Sequence, residues 1–353
     1  MRKFVFPLCL LLLIAIPLST QAQEKKKEFS TYAEMREHFG ELYQQKKLKE
    51  AADLLEWAIT RFPDHLEANA FNLALLYSQL KEYDKGIKIL KYAFDRGIWF
   101  SIYMFNQENW APFSEREEFK EMLTRNEALR QEAQKHTKLE ILVLTPEKYN
   151  RQKKYPLFIA LHGGGGNIKE FKEAWKSKKL SAEFILAYFQ SSQIVSMNGY
   201  SWTEDLELAK KEISEAFHKV KKDYSVDEKE VIIGGFSSGG IAALEVSLGN
   251  VFPVAGFVVL CPAKPESFSV VNVREAKARG LSGTLLTTEM DPRLSVQKEM
   301  VEVFKSEGFP LQFVVTPNIG HWFPEDIEVK IDQAIDHIRQ KLVFHSQHDG
   351  NQI

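Results

Sequence analysis

The chain has 353 residues, enough for two compact domains, and its 44% hydrophobic and 27% charged residues are typical of a soluble globular protein. A formal net charge of −2 gives no electrostatic reason to bind nucleic acid. No long tract of biased composition is present, so the numbers exclude an intrinsically disordered chain and predict disorder only at the two ends.

The first 22 residues have the three parts of a secretory signal peptide. Arg2 and Lys3 give a positive start, an apolar run follows from Leu8 to Leu18, and Ala22 is a small residue suited to cleavage. The run is shorter than the roughly 20 apolar residues of a membrane-spanning helix. We therefore predict cleavage after Ala22, a secreted or periplasmic protein and no stable membrane anchor. An uncleaved anchor is the alternative.

Cleavage would change two other properties of the chain. Loss of Arg2 and Lys3 would shift the formal net charge from −2 to −4. Loss of Cys9 would leave Cys261 as the only cysteine, so no intramolecular disulfide could form. Cys261 ends an apolar run, and we interpret it as a buried small hydrophobe rather than a reactive thiol.

Residues 23–135 have a helical pattern, with apolar residues recurring every three to four positions. Two stretches align at an offset of 35 residues, which pairs Leu48 with Tyr83, Ala51 with Gly86, Leu55 with Leu90 and Ala58 with Ala93. The offset and the small residues resemble tetratricopeptide repeats. Two interpretations stay open: a helical brace packed against the following domain, or a docking surface for a protein partner.

Residues 136–344 show a different pattern, in which short apolar runs alternate with amphipathic stretches such as residues 206–221 and 295–307. The runs are LEILVL, PLFIALH, EFILAYF, VIIGGF, VAGFVVL, GTLLTT and LQFVVT. Alternation of this kind predicts an α/β domain, a mainly parallel sheet with helices on both faces. Residues 345–353 are polar, and we predict a flexible tail there.

The strongest local signal is the sequence GFSSG after the run VIIG. It matches G-x-S-x-G between a predicted strand and a predicted helix, which indicates a nucleophile elbow with Ser237 at its tip. Gly235 and Gly239 are expected because the turn brings backbone segments too close for a Cβ atom. The start of the helix favours negative charge on the attacked oxygen.

A serine hydroxyl requires a base, and His321 is the candidate because it follows the last predicted strand in a Gly-His turn. Asp291 lies in the loop after the preceding strand and is the candidate carboxylate to orient that base. The order Ser, Asp, His along the chain is that of the α/β-hydrolases. Glu289, two residues before Asp291, is the alternative carboxylate.

The glycine cluster HGGGG at residues 162–166 follows a predicted strand and can present backbone N–H groups to an oxyanion. We predict Gly164 and Ser238 as the donors, with Gly163 or Gly165 as substitutes for Gly164. His162 is interpreted as structural. No phosphate-binding motif and no second ligand at metal spacing accompany it, so we predict neither cofactor nor metal.

These motifs resemble the phospholipase/carboxylesterase and polyhydroxybutyrate-depolymerase-like esterases of the α/β-hydrolase superfamily, over residues 138–343. The resemblance implies an α/β-hydrolase fold, and the all-α tetratricopeptide-like domain that precedes it lies outside the match. It also implies hydrolysis of a small-molecule or polymer ester through an acyl-enzyme without a cofactor. Trp202, ahead of the helix that leads to the elbow strand, also matches. Ser238 departs from the family pattern, in which a longer residue often follows the nucleophile.

Three points remain open at this stage. A serine peptidase could use the same triad, since nothing in the sequence selects ester over amide. A binding protein that recognises a partner through the helical repeats is the alternative from another class. Trp202 either lines the substrate pocket or packs in the core, and we assign it to substrate binding.

Overall fold

The computed structural model describes residues 29–105 and 110–349. The predicted signal peptide and its cleavage position therefore lie outside the described residues. Within those residues, no helix combines the length and the apolar character needed to cross a membrane.

Within residues 29–105 and 110–134, the chain forms seven helices. These are α1 (Tyr32–Gln44), α2 (Leu48–Arg61), α3 (Leu66–Gln79), α4 (Tyr83–Phe94), α5 (Ile102–Phe105), α6 (Ala111–Ser114) and α7 (Glu117–Gln134), with a 3-10 turn at Pro63–His65 before α3. Thr31 begins α1 with a capping box, because its hydroxyl accepts from the backbone N–H of Glu34 and the Glu34 carboxylate accepts from the N–H of Thr31.

The first four helices form two hairpins with equivalent turns. Lys46 and Lys81, 35 residues apart, both have a positive φ, at 57° and 61°. In both turns the next N–H reaches back to the preceding helix: Lys47 donates to Leu42 at 2.9 Å and Glu82 donates to Tyr77 at 2.8 Å. The sequence offset of 35 residues is therefore also the offset of the backbone conformation.

The aligned small and apolar residues of this region lie in one core. Ala51, Leu55, Ala58, Leu90 and Ala93 are all fully buried. Gly86 permits a close approach to the next layer, because a Cβ there would lie 3.0 Å from the ring of Phe113. Aromatic rings from α6 and α7 cover the end of this core, with the rings of Trp110 and Phe119 stacked at 5.9 Å.

The second part of the chain is built on a sheet of seven strands. Its strands are β1 (Glu140–Leu144), β2 (Tyr155–Leu161), β3 (Ile185–Gln190), β6 (Val226–Phe236), β7 (Gly256–Leu260), β8 (Ser282–Thr288) and β9 (Leu311–Thr316). They lie in the order β1-β3-β2-β6-β7-β8-β9. Only β1 is antiparallel to its neighbour. Each of the seven predicted apolar runs forms one strand of this sheet.

Helices cover both faces of the sheet, as predicted. They are α8 (Ile168–Ala174), α9 (Lys178–Glu183), α10 (Leu206–Asp223), α11 (Ser238–Leu248), α12 (Val270–Ala278), α13 (Leu294–Ser306) and α14 (Ile327–Asp349). Alternate residues of β2 divide between two cores: Leu157 and Ile159 pack with α10 to α13, whereas Phe158 and Ala160 pack with α8, α9 and α14. The fold class predicted from the sequence is confirmed.

Two features differ from the prediction. A hairpin of β4 (Gln193–Ser196) and β5 (Gly199–Ser201) forms a separate two-stranded sheet that no sequence pattern indicated. The final helix also runs to Asp349, five residues into the segment predicted to be a flexible tail, because no proline or glycine interrupts it before Gly350.

The hairpin connects the two parts of the chain. On one side the amide of Gln134, the last residue of α7, accepts from the N–H of Ile194 at 3.0 Å and donates to the carbonyl of Ser192 at 2.8 Å. On the other side Tyr200 of β5 donates to the Gly166 carbonyl and accepts from the Gly165 N–H, both at 2.9 Å. The helical region and the glycine cluster thus hold opposite edges of one short hairpin.

Candidate active site

The serine of the G-x-S-x-G motif stands at a strained turn. Strand β6 ends at Phe236 and α11 begins at Ser238, so Ser237 alone joins them, with φ at 53° and ψ at −113°. A left-handed conformation is costly for a residue with a Cβ and is concentrated at functional sites. The N–H of Ser237 donates to the carbonyl of Leu260 at 2.9 Å, which ties the turn to strand β7.

Glycines on both sides of Ser237 allow this turn. A Cβ on Gly235 would come within 2.7 Å of the carbonyl oxygen of Leu161, and one on Gly239 would overlap the carbonyl oxygens of Leu161 and His162. The elbow therefore sits directly against the end of β2. This is the close approach that the sequence predicted for Gly235 and Gly239.

Asp291 and His321 meet Ser237 from the loops that follow β8 and β9. His321 Nε2 lies 2.9 Å from Ser237 Oγ, and His321 Nδ1 lies 2.6 Å from Asp291 Oδ2. The Asp291 side chain is fully buried, whereas the His321 side chain is 29% exposed. The three predicted residues, up to 84 positions apart in the chain, thus form one hydrogen-bonded line at the carboxyl ends of the strands.

The surroundings of Asp291 keep its carboxylate ionised. Burial raises the pKa of Asp291, but hydrogen bonds from His321, from the Cys261 thiol and from the backbone N–H of Arg293 outweigh it and hold the pKa below its ordinary value. The alternative carboxylate, Glu289, points elsewhere and accepts from the N–H of Asn318 at 3.0 Å. Its contact supports the turn that precedes His321.

Cys261 lies beneath this line of residues and is fully buried, as interpreted from the sequence. Its ligand atom and those of Asp291 and His321 lie within 4.8 Å of one another, a spacing at which a metal could bind. Burial, followed by the neighbouring Asp291 carboxylate, raises the pKa of the Cys261 thiol to about 12. We interpret the cluster as a hydrogen-bond network, because His321 Nδ1 and Asp291 Oδ2 already bind each other at 2.6 Å.

Three loops at the carboxyl ends of the strands leave the sheet in the same way. The N–H of Ser237 binds Leu260 of β7, the N–H of Cys261 binds Leu286 of β8 at 2.9 Å, and the N–H of Glu289 binds Thr316 of β9 at 2.8 Å. Each loop therefore begins with a hydrogen bond to the next strand across. The backbone of the site is anchored by the sheet itself.

The glycine cluster after β2 lies against the elbow. Gly165 and Gly166 use their N–H groups in bonds to the carbonyls of Tyr200 and Gly163, both at 2.9 Å. Gly165 is therefore unsuited to be the substitute donor. A Cβ on Gly164 would lie 3.5 Å from Ser238 Oγ, so the two residues predicted as oxyanion donors are adjacent.

His162 precedes the glycines and has a structural environment, as interpreted from the sequence. It is fully buried, its Nδ1 lies 2.8 Å from the Gly163 carbonyl, and its Nε2 accepts from the N–H of Ser191 at 3.3 Å. These partners fix a neutral tautomer. Burial lowers its pKa to about 4, so the ring stays neutral at physiological pH.

The assignment of Trp202 to substrate binding is wrong. Its side chain is fully buried in the core that α10 covers, and its ring lies 5.3 Å from that of His162. A side chain with no exposed surface cannot line a substrate pocket. Trp202 instead supports the glycine cluster from below, and the core alternative applies.

An apolar cavity of about 260 Å³ opens beside the elbow, between the glycine cluster and the loop that carries His321. Phe171, Phe236, Trp322 and Phe323 line it. Trp322 is 63% exposed at the rim, although it directly follows His321. Sequence reasoning did not find this wall, since its rings come from α8, from the end of β6 and from the loop after β9. The pair Trp322-Phe323 after the Gly-His turn was the available signal.

Sequence reasoning also missed Arg293. Its Nη1 lies 3.0 Å from Ser237 Oγ and 3.4 Å from the carbonyl of Cys261. The guanidinium therefore contacts the serine from the side of β7, whereas the glycine cluster follows β2 on the other side of β6. The available signal was its position, two residues after Asp291.

A family model described as phospholipase/carboxylesterase matches residues 148–339, which include Ser237, Asp291, His321 and the glycine cluster. The chain belongs to the phospholipase/carboxylesterase family. The predicted enzyme class, a carboxylic ester hydrolase, is thereby confirmed. A family of this kind acts on ester substrates.

Solved structures with a similar chain include an uncharacterized protein from Bacillus cereus ATCC 10987, at 26% identity over 88% of this chain and 99% of that one, with a TM-score of 0.49. A phospholipase/carboxylesterase from Dyadobacter fermentans DSM 18053 is 17% identical over 56% of this chain and 97% of its own, with a TM-score of 0.42. The Bacillus cereus carboxylesterase is 15% identical over 60% and 99%, with a TM-score of 0.44. A search of curated proteins found no match.

Proposed function

We propose that this carboxylic ester hydrolase works through a Ser237–His321–Asp291 triad and an acyl-enzyme intermediate. The observation that carries the proposal is the unbroken hydrogen-bonded line from Asp291 through both ring nitrogens of His321 to Ser237 Oγ, at 2.6 and 2.9 Å. Nucleophile, base and orienting carboxylate within hydrogen-bond reach are the requirements of serine catalysis.

The chemistry follows from the contacts. Ser237 Oγ attacks the ester carbonyl carbon while its proton passes to His321 Nε2, and Asp291 stabilises the resulting imidazolium through Nδ1. The C–O bond to the alcohol then breaks, and His321 returns the proton to the leaving oxygen. Water next attacks the acyl-enzyme by the same route, giving the carboxylic acid and free Ser237.

The backbone N–H groups of Gly164 and Ser238 are the proposed oxyanion donors. Support comes from their proximity and from the engagement of Gly165 and Gly166 in bonds to other carbonyls. Ser238 also begins α11, so the partial positive charge of that helix acts on the same oxygen. The apolar cavity beside His321 is the proposed site for the alcohol part of the ester, since the leaving oxygen must face His321 Nε2.

Labelling with a fluorophosphonate probe tests this function. The wild-type protein should be labelled on Ser237 and should hydrolyse 4-nitrophenyl butyrate, whereas Ser237→Ala should do neither. Ser295→Ala, which removes an exposed hydroxyl from α13, is the matched control and should behave as wild type. Full ester turnover by a clean preparation of Ser237→Ala would refute the triad.

For the helical region we propose a brace made of two tetratricopeptide-like units. Support comes from the equivalent turns at Lys46 and Lys81 and from the contacts of Gln134 with the hairpin. Glu67 of α3 adds a third contact: its half-buried carboxylate accepts a hydrogen bond from the backbone of Met197, in the turn of the hairpin. A protein partner on this region remains the alternative proposal.

Secretion or export to the periplasm is proposed from the first 22 residues alone. The positive start, the short apolar run and Ala22 support it. Amino-terminal sequencing of the protein recovered from outside the cytoplasm should begin at Gln23. A protein that begins at Met1 and fractionates with membranes would instead support the uncleaved anchor.

A further inference from the structure

Arg293 is a positive charge at the nucleophile without a carboxylate of its own. Its Nη1 contacts Ser237 Oγ and the Cys261 carbonyl, both uncharged acceptors. Among residues 29–105 and 110–349, no Asp or Glu oxygen lies within 4.0 Å of its guanidinium, although Arg116, Arg125, Lys179 and Arg274 each have such a partner. The side chain is only partly exposed.

The nearest acidic residue in the sequence cannot serve as that partner. Asp291 gives Oδ2 to His321 at 2.6 Å and Oδ1 to the backbone N–H of Arg293 at 2.7 Å. Both oxygens of its carboxylate are therefore already engaged. A partly buried cation that lacks a counter-ion is costly unless a bound molecule supplies one.

The proposed reaction creates a second positive charge next to Arg293. When Ser237 attacks, His321 becomes an imidazolium, and both it and Arg293 are then cations in contact with Ser237 Oγ. Asp291 offsets the charge of the imidazolium through Nδ1, whereas a neutral ester supplies no carboxylate to Arg293. An ester that carries a negative charge on this side would pair with Arg293 in the transition state, where binding energy raises the rate.

The position of Arg293 indicates which part of the ester carries the charge. The attacked carbon has three substituents besides Ser237 Oγ: the oxyanion, the leaving oxygen and the acyl group. The oxyanion faces the glycine cluster, on the β2 side, and the leaving oxygen faces His321. Arg293 lies on the β7 side, so the acyl group is the substituent left to face it.

We propose that Arg293 is a specificity residue that binds a carboxylate on the acyl part of the substrate, so that the preferred substrates are half-esters of dicarboxylic acids. This inference rests on the proposed function of Ser237. A planar guanidinium matches a carboxylate through two parallel hydrogen bonds, and a charge-assisted pair of this kind is strong.

Two esters of matched shape test the proposal. Monoethyl succinate has a carboxylate where ethyl 4-methylpentanoate has an isopropyl group of the same size, and titration of the released acid measures both. The wild-type enzyme should show a higher kcat/KM for monoethyl succinate. In Arg293→Gln the ratio of the two kcat/KM values should fall by about 10- to 100-fold, the range expected for loss of a hydrogen bond between charged groups.

Two further variants separate charge from shape and from long-range electrostatics. Arg293→Lys should recover part of the ratio, because it restores the charge without the planar fork. Lys264→Gln removes a cation from the same β7 loop, but Lys264 points to the ring of Phe268 at 5.7 Å, so the ratio should stay at the wild-type value. An equal fall of the ratio in Lys264→Gln would overturn a specific role for Arg293.

Labelling of Ser237 distinguishes failure of this inference from failure of the proposed function. If Ser237 reacts with the fluorophosphonate and the ratio is the same in wild type and Arg293→Gln, only the inference is wrong. If Ser237 is not labelled in the folded protein, the proposed function itself fails. Should both esters turn over too slowly, their protection of Ser237 against labelling gives the ratio of their affinities, and a ratio that is the same in wild type and Arg293→Gln would overturn the proposal.

Discussion

The helical region and the catalytic region of this hydrolase are ordered by different kinds of contact. In the helical region the equivalent turns at Lys46 and Lys81 lie within hairpins of adjacent helices, so each unit is determined by about 30 consecutive residues. In the catalytic region the key contacts join residues 30, 56 and 84 positions apart. Local sequence thus specifies the first region, and sheet topology specifies the second.

This difference in contacts predicts which property a substitution in each region should change. A change in a helical hairpin should alter the free energy of unfolding and leave the chemistry intact. A change at the strand ends should alter the chemistry with little effect on folding. Gln134 contributes to both regions, because it ends α7 and binds the hairpin that supports the glycine cluster.

The largest effect is expected from Asp291→Asn, which tests whether the strand-end contacts act as one unit. The amide can donate to His321 Nδ1 and hold the wrong tautomer, so kcat should fall by about 10,000-fold, the loss seen when the aspartate of a serine protease triad becomes asparagine. Steady-state ester hydrolysis measures it. Glu289→Gln is the control and should stay within a few-fold of wild type; a comparable loss there would mean that the turn before His321 matters as much as the orienting carboxylate.

A smaller effect on activity is expected where the two regions meet. Gln134→Ala removes two hydrogen bonds to the backbone of Ser192 and Ile194, so the hairpin and the glycine cluster should shift and kcat should fall by about 10-fold. Kinetics and thermal unfolding should be measured together. Gln131→Ala, on the exposed side of α7, is the control. Wild-type kinetics in Gln134→Ala would show that the helical region does not support the glycine cluster, and would favour a docking role for the helices.

The charge of Asp291 should also appear in the pH dependence of stability. Because the pKa of Asp291 is lowered in the folded protein, its ionised form stabilises the fold above its ordinary pKa of about 3.9, and this contribution is lost as the pH falls through the lower folded value. Denaturant unfolding of wild type and Asp291→Asn should therefore differ most at neutral pH and converge in acid. Asp223→Asn controls for removal of a negative charge; a gap that widens in acid would contradict the lowered pKa.

The smallest effect is expected from substitutions at the two turns of the helical region. Lys46→Gly and Lys81→Gly relieve the positive φ at both turns, and each should raise the free energy of unfolding by about 0.5–1 kcal/mol. Ester hydrolysis should remain at the wild-type rate. Unequal effects at the two positions would show that the turns, though equivalent in backbone, are not equivalent in stability.

Sequence alone predicted the features whose signal is local or whose order along the chain is diagnostic. The seven strands were visible as apolar runs, and Ser237 was visible because glycines must flank so tight a turn. Asp291 and His321 followed from their order after successive strands. Their contacts with Ser237 then depended only on the parallel sheet, which brings the carboxyl ends of its strands to one edge.

Features that depend on the packing of separate loops could not be predicted. The hairpin β4–β5 consists of strands of four and three residues, too short for a periodic pattern, and its partners come from α7 and the glycine cluster. Trp202 was misassigned because an aromatic residue near a motif has the same sequence signal in a core as in a pocket. Arg293 was missed because its direction depends on the turn at Asp291 and on the loop after β7.

The backbone bonds by which three loops leave the sheet have a consequence for evolution. Ser237, Cys261 and Glu289 each start their loop with an N–H bound to the adjacent strand, so the spacing of the site is inherited from the interval between strands. The side chains proposed to contact the substrate do not form these backbone bonds. Selection could therefore replace Arg293 or Trp322 and change the preferred ester, while the backbone positions of the reacting residues stay the same.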